Sequence, residues 1–423
     1  MNQTFRKDIQ GLRGISVLLV VLYHTNTLFP GGFVGVDVFF VISGYVIMAS
    51  LLREYQNNSS ISLVNFISRR INRLLPASTV VVIFTLITSV FIFSPFSEQG
   101  QIARTSLSST FFSANLYFVL QNSYSALINN PFRHTWSLGV EEQFYLFWPL
   151  LLGLVAFLAK RKSETAFKLL LIAVSLASFG YSLFLTFAQP TLAYFNTFGR
   201  VWEFGLGALI AFAGHRVRLT EIGKTLLSLS GFAAILGSSL LLSENLPLPG
   251  WAALIPAMGT AAVILAGLKS LPSWLDRLYG LRPISFTGEI SYSLYLWHWP
   301  LIILLPWVTG YQPRAWELVI VLVATYALAY LSKHFVEDRF LKMPALTSRR
   351  PRFTFALAGS VSAMILIFSI AAGAITAGQI ASATVSTQTL DQAKNDTADP
   401  DNKCMTEPES IEIKLCKYGR IGA

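Results

Sequence analysis

Long apolar stretches recur from one end of the chain to the other. They lie near residues 11–29, 33–53, 75–94, 138–159, 167–188, 198–214, 225–242, 251–268, 285–308, 315–336 and 353–377. Each approaches the roughly 20 residues that carry a helix across a bilayer. Short polar segments separate them, and the pattern predicts an all-α polytopic membrane protein with about 11 transmembrane helices. One further stretch, 105–121, is only half apolar and carries Thr105, Ser106, Ser108, Ser109, Thr110, Ser113 and Asn115. It reads as an outer-surface or re-entrant helix. Beyond about residue 378 the chain turns polar, which reads as a linker or extension.

Charge orients this pattern. Of 423 residues, 53% are hydrophobic and 13% charged, about half the charge of a soluble domain. In a membrane protein the net charge of +10 reports orientation first, and no nucleic-acid partner is expected. The first stretch carries Arg13 and His24 and lacks a small-residue cleavage site, so it reads as a retained span. With the N-terminus inside and 105–121 left uncounted, the basic residues near 6–7, 53, 69–73, 160–168, 216–224, 269–282 and 333–352 share the cytoplasmic side. The outer loops then keep little beyond Arg104, Arg133 and Arg314. Counting 105–121 as a span would turn every later basic loop outward. The expectation is a cytoplasmic N-terminus and a C-terminus outside.

Ionisable groups at membrane depth are costly and usually functional. Arg13 and His24, eleven residues apart, fall on one helical stripe roughly 16 Å apart. Asp37 enters the second span near the His24 level, where it either supports the imidazole or caps the helix. Ser43-Gly44 reads as close helix packing. Arg69, Arg70 and Arg73 precede Pro76 at the cytoplasmic mouth, with Arg69 and Arg73 on one face; with Arg13 they read as a phosphate clamp. Between His134 and Pro149 lie Trp136, Ser137, Glu141, Glu142, Tyr145 and Trp148. Glu141, Tyr145 and Trp148 share a face, and one carboxylate is expected to act as, or support, a base. Arg200 and Glu203 read as a structural ion pair. Ser291, Tyr295 and His298 share a face that lines a site, and Glu337-Asp338-Arg339 reads as a local charge network. Cys404 and Cys416 read either as a disulfide in an oxidising compartment or as two free thiols. No GxxxxGK[ST], HExxH or cysteine cluster occurs, so neither self-powered transport nor a metal is expected.

Taken together, Arg13-x10-His24, the run 35–44 (GVDVFFVISG), 69–76 (RRINRLLP), 136–145 (WSLGVEEQFY), 200–207 (RVWEFGLG) and 291–300 (SYSLYLWHWP) resemble the bacterial acyltransferase-3 family. That family includes integral-membrane O-antigen acetyltransferases, and the resemblance covers about residues 5–341. It implies a bacterial inner-membrane enzyme moving an acyl group, usually acetyl, from cytoplasmic acetyl-CoA to a hydroxyl of a surface glycan such as lipopolysaccharide O-antigen. Arg13, Arg69, Arg70 and Arg73 would then hold CoA phosphates. His24 would be general base or acyl-carrying nucleophile, with Asp37 and Glu141 or Glu142 orienting it or moving its proton. His134, Trp136, Ser137, Tyr145, Tyr295 and His298 would line the substrate path. The organisation implied is a ten-span acyltransferase-3-like domain over 1–341, a cytoplasmic loop with an eleventh helix over 342–377, and a periplasmic linker over 378–423. The eleventh span and the tail resemble the subgroup with a fused periplasmic SGNH-type domain, whose Gly-Asp-Ser block is not in this sequence. Membrane lipid, a glycan acceptor and such a domain or protein are the expected partners. A transporter or a scaffold for a lipid-linked sugar or acyl group is the alternative.

Overall fold

A computed structural model describes residues 6–382, except 27, 59, 94–97, 122–128, 159–163, 215–216, 244 and 344–350. Cys404 and Cys416, with the disulfide question and the tail, lie outside the described residues. All regular elements among those described are helical. Six helical segments are long and apolar enough to cross a membrane: Gly32–Asn58, Leu63–Ile92, Phe167–Ala188, Glu221–Leu241, Ala315–Lys342 and Pro351–Ala377. The protein is therefore a multi-pass membrane protein, all-α over its described residues.

Helix α1 (Lys7–His24) leads through a 3-10 turn into α2 (Gly35–Asn58), then α3 (Leu63–Ile92). α3 starts twelve residues before the apolar stretch at 75. Ser62 caps it, accepting from the Asn65 N–H at 3.4 Å, so the arginines at 69–73 lie inside the helix. The half-apolar stretch is two helices, α4 (Glu98–Thr110) and α5 (Ala114–Gln121), broken where Phe112 takes a positive φ of 50°. The hydroxyls of α4 face inward, which explains its polarity. Ser106 bonds Ser369 at 2.9 Å, Ser109 bonds Thr135 at 2.8 Å, and Thr105 accepts from Asn130 at 2.9 Å.

Next come α6 (Trp136–Leu158), α7 (Glu164–Ala188), the short α8 (Pro190–Phe195), α9 (Val201–Ala213), α10 (Glu221–Leu241) and α11 (Leu254–Ala266). At 13 residues, α9 and α11 are about 20 Å long, shorter than the hydrocarbon core. After α12 (Ser273–Tyr279), the stretch read as one span over 285–308 is two helices, α13 (Arg282–Glu289) and α14 (Ser291–Thr309), hinged at Ile290. α15 (Ala315–Leu331) passes into π-helical turns over Ser332–Glu337 before α16 (Asp338–Lys342). The last helix, α17 (Pro351–Ser382), continues past the expected start of the linker.

Glycines set the closest packing. A Cβ on Gly44 of α2 would strike the Phe204 backbone of α9, and one on Gly207 would strike Val41. Gly231 of α10 and Gly259 of α11 each meet the other's carbonyl. Without a hydrophobic force between helices in lipid, such small residues let backbones approach and gain dispersion contact.

Side-chain pairs give the helix directions. Arg13 meets Ser291 and His24 meets His298, so α1 and α14 run the same way. Ser68 meets Thr354 near the starts of α3 and α17, so these two begin at one level. In α6 the order reverses: Ser137 lies at the Tyr295 level and Glu141 further toward the arginines.

Candidate active site

Among the described residues, three polar groups in the bundle hold the candidate site residues. The first joins α1, α3, α6, α14 and the π-helical turns. Arg13 donates from Nη2 to Ser291 Oγ at 2.9 Å. The Arg70 guanidinium lies 4.6 Å from the Tyr145 ring centroid. Tyr145 and Ser43 both donate to Glu141 Oε1. Arg73 is within electrostatic range of Arg13, Glu142 and Glu337, and Arg70 of Glu142. The π-helical turns place Glu337 against Ser293 Oγ, and Lys333 lies beside both Glu337 and Asp338. Arg69 departs from the expected clamp. Its side chain is 55% exposed and pairs with Glu54 at 2.8 Å. The buried face of α3 passes through Ser68, Asn72 and Leu75, so Arg70 and Arg73 flank it while Arg69 points away. Arg13, Arg70 and Arg73 are the arginines that converge.

The second group lies about two turns along α14. His24 Nδ1 is 3.0 Å from His298 Nε2, and His298 Nδ1 is 2.6 Å from the Tyr295 carbonyl oxygen. The His134 ring sits 5.6 Å from both the His298 and Tyr295 rings. Ser137 Oγ and the Tyr295 hydroxyl are 2.6 Å apart, and that hydroxyl donates to the His134 carbonyl at 2.8 Å. Trp299 closes on His24 edge-to-face at 4.6 Å, with the Arg133 guanidinium 5.4 Å from its ring. His298 and His134 are buried, and His24 is half-buried.

The third group corrects the expected role of Asp37. Its Oδ1 accepts from Arg200 Nη1 at 2.6 Å, and Glu203 accepts from the same nitrogen at 2.9 Å. Asp37 therefore does not orient His24. It sits in the first turn of α2, where a carboxylate suits the helix dipole, and α9, parallel beside α2, supplies the cation. Trp136 and Tyr194 lie 5.6 and 5.7 Å from the Arg200 guanidinium. They wall a narrow recess, together with Phe33, Asp37 and Leu242. Arg200 and Glu203 pair as read, within a three-membered network.

The site residues thus divide by level. His134, Ser137, Tyr295 and His298 gather around His24. Tyr145, Glu141 and Glu142 stand with the arginines, too far along α6 to hold His24, and Trp136 covers Arg200. Ser43, in a pair whose sequence favours packing, bonds Glu141; Gly44 beside it does pack. Tyr194 and Ser293 were not anticipated, since a lone Ser or Tyr in an apolar run carries no distinguishing periodicity.

An acyltransferase domain family model matches residues 6–334. The chain is 32% identical over 355 residues to the peptidoglycan O-acetyltransferase OatA of Listeria monocytogenes, covering 81% of this chain and 56% of that protein. It is 30% identical over 351 residues to the O-acetyltransferase OatA of Staphylococcus aureus, covering 79% of this chain and 57% of that protein. The chain thus spans a little over half the length of the curated relatives it matches. No solved structure matches it. Matched over most of its length, and carrying the arginine and histidine groups on the very segments that make the match, the chain belongs to the acyltransferase-3 family.

Proposed function

We propose that this chain is an inner-membrane O-acyltransferase that takes an acetyl group from cytoplasmic acetyl-CoA and passes it toward a hydroxyl of a cell-envelope glycan. The observation that carries the reading is the polar column formed by α1 and α14. Three arginines stand at one level and three histidines about 10–16 Å further along, counted at 1.5 Å per residue. Arg13, Arg70 and Arg73 suit the phosphates of CoA by their forked donors. His24, at the other level, takes the acceptor hydroxyl's proton as that oxygen attacks the thioester carbonyl; the C–S bond breaks and the CoA thiol leaves with a proton. The covalent variant has His24 carry the acetyl group between the two.

The proposed topology is eleven spans, N-terminus cytoplasmic and C-terminus periplasmic. Its support is directional. α1 and α14 run in parallel, as spans one and nine must. α3 carries Arg73 at the Arg13 level and Phe84 against Trp297, so the chain leaves α3 and enters α6 on the same side, as it must if α4 and α5 do not cross.

For the acceptor, the similarity to the Listeria peptidoglycan O-acetyltransferase favours peptidoglycan over the O-antigen implied by the resemblance. A periplasmic SGNH-type domain or protein is the proposed recipient that completes delivery. The test uses the full chain in proteoliposomes with radiolabelled acetyl-CoA, and mass spectrometry of peptidoglycan and O-antigen from cells with and without it. His24→Ala is expected to abolish acetyl-CoA-dependent labelling at unchanged protein level. Undiminished labelling in that variant, or no change in any envelope glycan, overturns the reading.

A further inference from the structure

We propose that His298 is a positioning residue: it locks His24 in the tautomer that carries its proton on Nδ1 and leaves the Nε2 lone pair free to act. This deepens the acyltransferase reading, but the tautomer itself stands on geometry alone.

The donors and acceptors that run from Tyr295 through His298 to His24 admit one solution. The Tyr295 carbonyl oxygen has no hydrogen to give, so at 2.6 Å His298 Nδ1 must donate to it. A neutral imidazole has a single N–H, and His298 has spent it there. Its ring is fully enclosed. Among the described residues, the fixed charge that bears on this cluster is the cation Arg133, and a second N–H on His298 would place an imidazolium in the same enclosed space. His298 Nε2 is therefore a lone pair. His24 Nδ1 lies 3.0 Å from it and must be the donor. That consumes the one N–H of His24, and its Nε2 is left as the acceptor. Free histidine prefers the opposite arrangement, with the proton on Nε2; here the bond made by one nitrogen decides the state of the other. A base or nucleophile needs this lone pair in place before the hydroxyl arrives, so a pre-set tautomer removes a reorganisation step.

Local sequence builds the lock. Ser291, Tyr295 and His298 lie on one stripe of α14. Pro300 withholds the N–H that would otherwise bond the Leu296 carbonyl, one residue beyond the carbonyl that His298 uses. His298 reaches back three residues to Tyr295 in the same turn. His134 and Trp299 pack around the pair and fix the ring planes, with His24 and His298 stacked at 5.1 Å.

The chain has five histidines, few enough for nitrogen-15 spectroscopy of the full-length protein in liposomes. Magic-angle-spinning spectra of chain labelled at histidine nitrogens, with His24 assigned by its loss in His24→Gln, should show His24 protonated at Nδ1 and bare at Nε2. In His298→Phe the signal should move to the Nε2–H form. In His298→Gln, whose amide oxygen can accept from Nδ1–H, it should stay. Acetyl transfer should track the tautomer: kcat falls by about 100-fold or more in His298→Phe, recovers within about tenfold in His298→Gln, and KM for acetyl-CoA is unmoved because the arginines stand elsewhere. A His24 signal of the Nε2–H type in the unaltered chain overturns the proposal outright, even if no variant folds. Loss of activity in His298→Phe with an unchanged His24 tautomer overturns it as well. If the tautomer is as stated but no form of the chain transfers acetyl, the positioning role stands and the acyltransferase reading falls.

Discussion

Asp37 and Arg200, 163 residues apart in the chain, are joined by a 2.6 Å bond with both side chains almost wholly out of solvent. Two carboxylates share this one guanidinium, so its removal leaves uncompensated buried charge. Arg200→Met is expected to cost about 3–5 kcal/mol, read as a lowered thermal-unfolding midpoint in detergent, and Asp37→Asn in the same chain should recover part of it. A second contrast lies in the arginine group. Arg70→Ala and Arg73→Ala should raise KM for acetyl-CoA by about tenfold or more, each losing a charge-assisted contact of about 1.5–3 kcal/mol. Arg69→Ala, whose own side chain is largely exposed and turned to Glu54, should change it less than threefold; equal effects for all three would return Arg69 to the clamp. At this scale the sequence announced the chemistry-bearing residues, because a charge in an apolar run stands out. It did not announce their partners. Asp37 lies near His24 along the chain, but its carboxylate goes to a cation supplied by another helix.

Between elements, the packing of α2 on α9 rests on two glycines. Gly44→Leu would drive a side chain into the Phe204 backbone, which cannot yield as a flexible side-chain end can. The expected outcome is destabilisation of at least about 1–3 kcal/mol, visible as loss of folded protein by size-exclusion fluorescence. Gly237→Leu on α10, where a Cβ meets nothing within 4 Å, should be tolerated; comparable losses would show that close approach is not what holds α2 and α9. Most apolar stretches became single helices, since twenty apolar residues in lipid have little other way to satisfy their backbone. The exceptions are informative. The 285–308 stretch breaks at Ile290, so that Ser291 opens a helix aimed at Arg13. The π-helical turns at Ser332–Glu337 aim Glu337 at Ser293. Both breaks serve side-chain placement, and neither leaves a mark in hydropathy.

For the molecule as a whole, the directions of α1, α2, α3, α6 and α14 form one consistent alternation, and this makes a topological prediction. In a background with Cys404 and Cys416 replaced by Ser, Gln312→Cys should react with a membrane-impermeant maleimide added to spheroplasts. Ser273→Cys should react only after lysis. Both residues are exposed, so access depends on side alone, and the reverse pattern would invert the proposed orientation.

The sequence by itself determined the class of the protein, the positions of most helices and the roster of polar residues in the apolar stretches. Those are local or additive properties: apolar length and basic-residue bias are summed along the chain and need no partner. Tertiary structure alone decided which polar residues meet. It put His298, not Asp37, on His24, drew Glu141 to Ser43 and Tyr145, and turned Arg69 out of its cluster. The physical reason is that a hydrogen bond in a low-dielectric interior is worth making only at about 3 Å. Distances of that order between helices depend on crossing angles, glycine contacts and helix breaks contributed by the entire bundle.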